Sequence, residues 1–149
     1  MKYKSILVAV SAALLFSGCF KNEPPKCSDP DVKSSVKKLY GDMKKKIYEN
    51  PMSAIFTFFS GKKILPQKMV SLSNTRPIAY DENIKLRQCK ADARFDNNES
   101  VTVIYTVQLS EENPDEYYVE LSSDFLEPLM KKNLMQNALQ TLEENTSIK

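Results

Sequence analysis

Histidine and tryptophan are absent from the chain, and glycine occurs only three times. Without histidine, the commonest general base, the Ser-His triads and most catalytic zinc sites are excluded together. So few glycines leave little material for a phosphate-cradling loop. Ser60-Gly61-Lys62-Lys63 has neither the upstream glycine nor the preceding strand that such a loop needs. The acids lie mostly in turns, where solvation is their default role, so a paired-carboxylate hydrolase has no local support. Asp96, Glu99, Asp115 and Glu116 span two turns without approaching an EF-hand spacing. The expectation is no enzyme, no cofactor and no metal site. Long hydrophobic runs are missing too. Ile6 to Phe16 is too short to cross a bilayer as a helix, though it has the length of a signal-peptide apolar region.

That run follows the short basic stretch Met1-Lys2-Tyr3-Lys4 and leads into Phe16-Ser17-Gly18-Cys19. Small residues before the cysteine suit an extended chain entering a signal-peptidase cleft. Phe16-Ser17-Gly18-Cys19 resembles the lipobox of bacterial lipoproteins, with Phe16 where the family usually has leucine. The resemblance implies diacylation of the Cys19 thiol, cleavage before Cys19 and acylation of the new amino terminus. It also implies an outer-membrane address on the periplasmic face, because Phe20 stands where aspartate favours inner-membrane retention. In an organism with one membrane, the address is the cell membrane. Residues 1–18 are then the signal peptide, 19–27 the lipidated cysteine and its tether, and 28–149 a single domain.

Removing residues 1–18 takes away Lys2 and Lys4, so Lys plus Arg falls from 21 to 19, equal to the 19 acids. A formally neutral mature chain argues against nucleic acid as a partner. With Cys19 lipidated, Cys27 and Cys89 remain as an even pair in an oxidising compartment, which favours a disulfide. Neither has a C-x-x-C neighbour, so a redox role is not expected.

Helix signals start after Cys27. Ser28 or Asp29 can cap, Pro30 suits the first turn, and Val32, Val36, Leu39, Tyr40, Met43 and Ile47 recur on one face until Asn50-Pro51. Ala54 to Phe59 reads as a short second helix in preference to a strand. From Met69 the period changes to two, running unevenly toward Tyr80 with Pro77 marking an edge or a bulge. Ile84 and Leu86 are out of phase with Cys89, Ala91, Ala93 and Phe95, which predicts a bulge near Arg87-Gln88. Val101, Val103, Tyr105, Val107 and Leu109 alternate cleanly, and Tyr117, Val119 and Leu121 form a last strand. Leu126, Leu129, Met130, Leu134, Ala138 and Leu142 then predict a closing helix. The fold class is α+β: an N-terminal helix on a meander of about four antiparallel strands, with a C-terminal helix. This element order resembles the cystatin-like and NTF2-like folds, a likeness that transfers no function.

Two charge patterns stand out as candidate contact surfaces. The first helix carries Lys33, Lys37, Lys38, Lys44, Lys45 and Lys46, and segment 111–127 carries seven acids and no base. Solvation accounts for both in the plainest way. Read as contacts, Lys44, Lys45 and Lys46 face anionic head groups or an acidic partner, while Glu111, Glu112, Asp115, Glu116 and the adjacent Tyr118 offer a second patch. The partners expected are the membrane, through lipid on Cys19, and an envelope protein. The leading reading is a lipid-anchored envelope protein that binds a macromolecule, for example an accessory of a secretion or conjugation apparatus or a conjugation exclusion factor. An inhibitor or immunity protein is the alternative, and a small-ligand pocket between helix and sheet is a third.

Overall fold

Helix α1 (Pro30–Glu49) begins where its capping residues place it. Asp29 is the N-cap, its carboxylate accepting from the Asp31 amide at 3.1 Å, and Pro30 follows in the first turn. Asn50 ends it, its amide bonding back to the Ile47 carbonyl. Val32, Val36 and Tyr40 are fully buried along the inner face, with Met43 and Ile47 partly covered. The structure, a computed structural model, describes residues 23–51 and 64–146. The short helix expected at Ala54 to Phe59 lies outside the described residues.

Four strands follow: β1 (Met69–Asp81), β2 (Leu86–Phe95), β3 (Ser100–Leu109) and β4 (Tyr117–Leu121). They pair antiparallel in chain order, a plain meander with β1 and β4 at its edges. Helix α2 (Leu126–Thr146) closes the chain. The α+β arrangement read from the sequence is the observed one. Cys89, Ala91, Ala93 and Phe95 on β2 share the core face with Val103, Tyr105 and Val107 on β3, and all seven are at most 1% exposed. Alanine at two of these places leaves room above the sheet for the rings of Tyr40 and Phe95, whose centroids are 5.0 Å apart. The opposite face is polar, with Asp92 accepting from Asn74 and Thr102 across three strands.

The expected bulge sits on a different strand. β2 pairs with β3 without interruption from Leu86 to Arg94, so nothing is bulged at Arg87-Gln88. Instead, β1 spends 13 residues against the 10 of β2, with register shifts between Met69 and Ser71, Ser73 and Arg76, and Pro77 and Ala79. An edge strand can absorb extra residues because only one of its sides is paired, and Pro77, which lacks an amide proton, is tolerated there for the same reason. Asn74 has a positive φ of 51°, a conformation that asparagine tolerates better than most residues. The phase change that suggested a bulge has a simpler origin. Ile84 belongs to the turn, and Leu86 lies on the open face while Arg87 shares the core side with Cys89.

The closing helix departs from its expected packing. Leu126 and Leu129 are buried and Met130 is partly covered, but Leu134, Met135, Leu139 and Leu142 are 37%, 61%, 59% and 65% exposed. Asn133 marks the change, because among the described residues it is the last buried position on α2, and it bonds to Glu99 in the turn between β2 and β3. The helix keeps its apolar period beyond the point where the sheet supports it.

The segment preceding α1 is fastened to the sheet. Cys27 and Cys89 are joined by a disulfide with their Cα atoms 5.7 Å apart, and both are buried. The Tyr105 hydroxyl donates to the Cys27 carbonyl at 2.7 Å. Pro24 and Pro25, inside the stretch read as a tether, are buried as well. Closing a loop of sequence separation 62 stabilises the fold by about 4 kcal/mol in the chain-entropy model. Replacing both cysteines by serine is expected to lower the unfolding free energy by a corresponding amount, with a lower urea midpoint and a somewhat steeper slope as the unfolded chain expands. Free-thiol labelling of the wild type under denaturing, non-reducing conditions is expected to find neither Cys27 nor Cys89.

Candidate functional site

Antiparallel pairing places the two chain reversals of the acidic segments side by side. The turn between β1 and β2 and the loop between β3 and β4 lie at the same end of the meander, joined by bonds from the Leu109 amide to the Lys85 carbonyl and from Gln108 Nε2 to the Ile84 carbonyl. Asp81 closes the first turn, its Oδ1 accepting from the Asn83 and Ile84 amides. Ser110 and Asn113 close the second, which leaves Glu111, Glu112, Asp115 and Glu116 on its exposed rim. Asn83, Ile84, Lys85, Leu109, Ser110, Glu111 and Pro114 line a shallow cleft of about 210 Å³ between them. Tyr118 is 59% exposed beside this loop, and its neighbour Tyr117 turns inward toward α1. The first residues of α1 add to the same end. Asp31 and Asp29, after burial itself, raise the pKa of Tyr117.

Lys44, Lys45 and Lys46 lie at the opposite end, whereas Lys33 sits in the first turn of α1, two residues after Asp31. Lys44 Nζ donates to the Gln67 carbonyl, and the Gln67 amide in turn donates to Asp96 in the turn between β2 and β3. Lys44 is thus engaged by the fold. Lys45 and Lys46 are exposed, as are Lys37 and Lys38 about two turns earlier. Lys45 meets Glu49 at 3.7 Å, but with side chains 74% and 63% exposed the pair contributes little to stability. Twenty residues of helix at 1.5 Å each separate the two ends of α1 by about 30 Å. The described residues therefore carry an acidic end and a lysine-bearing end. The two candidate patches, alike in the sequence as runs of charge, do not form one surface. Cys19 lies outside the described residues.

Two polar arrangements escaped the sequence reading. Glu99 is only 7% exposed, and its Oε2 accepts from Asn97 Nδ2 at 2.9 Å and from Asn133 Nδ2 at 3.0 Å. Lys132 Nζ stands 3.3 Å from its other oxygen. This network fixes α2 to the turn between β2 and β3. The one available signal was Asn133, a polar residue at the fourth position after Leu129 on the apolar side of the helix. The second arrangement is Arg87, which donates to Glu23 Oε2 at 3.2 Å and to the Pro25 carbonyl at 3.4 Å, with its guanidinium 5.6 Å from the Tyr80 ring centre. A cleft of about 410 Å³ beside it is bordered by Lys26, Ser28, Thr75 and Pro77.

Among the described residues, no helix is long and apolar enough to cross a membrane. None of their His, Cys, Asp or Glu side chains forms a group of three able to hold a metal ion. Comparison with known proteins found no matching family model, no matching curated protein and no matching solved structure. The functional reading rests on the residues themselves.

Two buried hydroxyls give the fold a pH limit. Burial pushes the Tyr105 pKa up to about 12, and burial followed by Tyr48, Asp96 and Glu99 raises that of Tyr40. Unfolded tyrosine ionises near 10, so above that pH the unfolded chain releases protons that the folded chain retains. Stability is complete below about pH 10 and falls above it by about 1.4 kcal/mol per pH unit for each of the two tyrosines. Urea midpoints measured from pH 9 to about 11 are expected to show this decline, with Tyr105→Phe roughly halving the slope.

Proposed function

We propose that this chain is a lipid-anchored bacterial envelope protein, held through Cys19 on the periplasmic face of the outer membrane and acting by binding another envelope protein. An accessory of a secretion or conjugation apparatus, or a conjugation exclusion factor, is the kind of role meant. The observation that carries the reading is the buried Cys27–Cys89 disulfide standing directly behind a lipobox-like Phe16-Ser17-Gly18-Cys19. The two features are independent, and both call for export into an oxidising compartment. The proposal includes no catalysis: the chain has no histidine, and two of its three cysteines are oxidised together.

The described part of the helix–sheet interface gives the small-ligand alternative little support. Val32, Val36, Tyr40, Phe95, Val103 and Tyr105 fill it, each at most 1% exposed. Binding at the charged ends fits better, since exposed charges set association rate and register more than affinity. The inhibitor or immunity alternative draws on the exposed 111–116 loop.

Mass spectrometry of the mature amino terminus and detergent co-purification test the proposal together. The expected results are a triacylated peptide starting at Cys19 and a stoichiometric envelope partner. Lys45→Glu with Lys46→Glu is expected to weaken that association more at low salt than at high salt, with the thermal midpoint unchanged. An unmodified Cys19, or extracts that yield no partner, would contradict it. Loss of partner only when Glu111, Glu112, Asp115 and Glu116 are neutralised would move the working surface to the loop.

A further inference from the structure

The chain leaves the fold at a fixed point. Glu23 and the Pro25 carbonyl are both held by Arg87, whose side chain is only 15% exposed. Pro24 and Pro25 are buried, and two residues later the disulfide and the Tyr105 hydroxyl secure Cys27. Arg87 stands next to the first residue of β2, and its partner on β1 is Tyr80, one residue before that strand ends. Glu23 therefore emerges at the sheet end that carries Asp81, Glu82, Glu111, Glu112, Asp115 and Glu116. Four residue steps connect it to Cys19, a reach of at most about 14 Å.

From this placement we infer that the docked segment stands the domain upright, with its acidic end against the bilayer and the lysine-bearing end of α1 turned outward to meet an acidic protein. The inference rests on the lipid at Cys19 proposed above. It assigns the two charged ends different duties and removes head groups as the target of the lysines. Lys45 and Lys46 lie about 23 Å along α1 from its first residue, about three times the Debye length of about 8 Å at physiological salt. A domain on a long flexible tether would turn the other way, because an anionic leaflet attracts lysines and repels carboxylates. The buried Pro24 and Pro25, the disulfide at Cys27 and the short connection to Cys19 oppose that rotation, while Glu23, 70% exposed, adds little through its pair with Arg87.

The test uses the full lipidated protein, first verified by mass at Cys19, in vesicles of phosphatidylethanolamine and phosphatidylglycerol containing a headgroup nitroxide lipid. With Cys19 acylated and Cys27–Cys89 oxidised, one cysteine introduced at Asp115 or at Glu49 is the only free thiol for a fluorophore. Quenching is expected to be several-fold stronger at position 115 than at position 49. Inserting ten Gly-Ser pairs between Asn22 and Glu23 leaves the folded residues untouched and is expected to reverse that order at low salt, as the lysines reach the anionic surface. Equal quenching at the two positions with the natural connection, or stronger quenching at 49, would overturn the orientation even with Cys19 lipidated. A protein found unacylated overturns the anchor, and coupling its free Cys19 to a maleimide lipid, with the fluorophore then attached to p-azidophenylalanine at position 115 or 49 in place of the introduced cysteine, lets the same quenching comparison judge the orientation separately.

Discussion

The crossing of residues 24–28 over the sheet is the constraint on which the other arrangements depend. A disulfide and one buried hydroxyl-to-carbonyl bond hold Cys27 to adjacent positions on β2 and β3, since Cys89 and Tyr105 are direct register partners. That single point fixes where α1 starts, and the buried stripe Val32, Val36 and Tyr40 fixes the face it turns to the sheet. Tyr40 closes the far side, donating to the Pro66 carbonyl at 2.7 Å and packing on Phe95 and Phe125. With both ends of the helix tied, the direction of the charge separation along it is set. The mechanical design of the domain thus rests on a bond that the oxidising compartment proposed above would maintain.

Strand pairing supplies the second level. The central pair β2 and β3 is regular and carries the small and branched residues of the core, while the irregularity is confined to β1. Three extra residues on an edge strand change its curvature without disturbing the central ladder, and they break up an edge that would otherwise invite pairing with another chain. The Glu99 network does a comparable job for α2. A carboxylate buried this far is costly unless it is paired, and here two amide side chains and Lys132 surround it. It holds the first half of the helix, and Leu134, Met135, Leu139 and Leu142 beyond it are exposed.

Local signals explain which parts of the fold were legible. Asp29-Pro30, Asn50-Pro51 and the clean alternation from Val101 to Leu109 each act over a few residues, and each element stands where they indicate. The bulge was misplaced because a phase change in β2 looks the same whether the extra residue lies in that strand or a flanking residue belongs to the turn. Only the register against β1 separates the two. The exposed second half of α2 was illegible for a related reason, since an apolar period reports amphipathicity and not whether a neighbour reaches that far. For the candidate patches, the sequence showed charge runs and exposed residue types, but not that the meander would carry Glu111, Glu112, Asp115 and Glu116 to one end and the helix Lys44, Lys45 and Lys46 to the other. Arg87 carried no signal at all: its role requires Glu23 and Pro25, more than sixty positions away, to lie across the strand.

Docking of the N-terminal segment is most directly examined by native-state hydrogen exchange with the disulfide intact and reduced. Upon reduction, the amides of Lys33 to Tyr40 should lose much of their protection while those of Cys89 to Phe95 and Val103 to Val107 keep most of theirs, because α1 is released before the central strand pair opens. Amides of α1 that stay as protected as the strands after reduction would show that the helix holds its place without the bond to Cys89, and would contradict the dependence argued here.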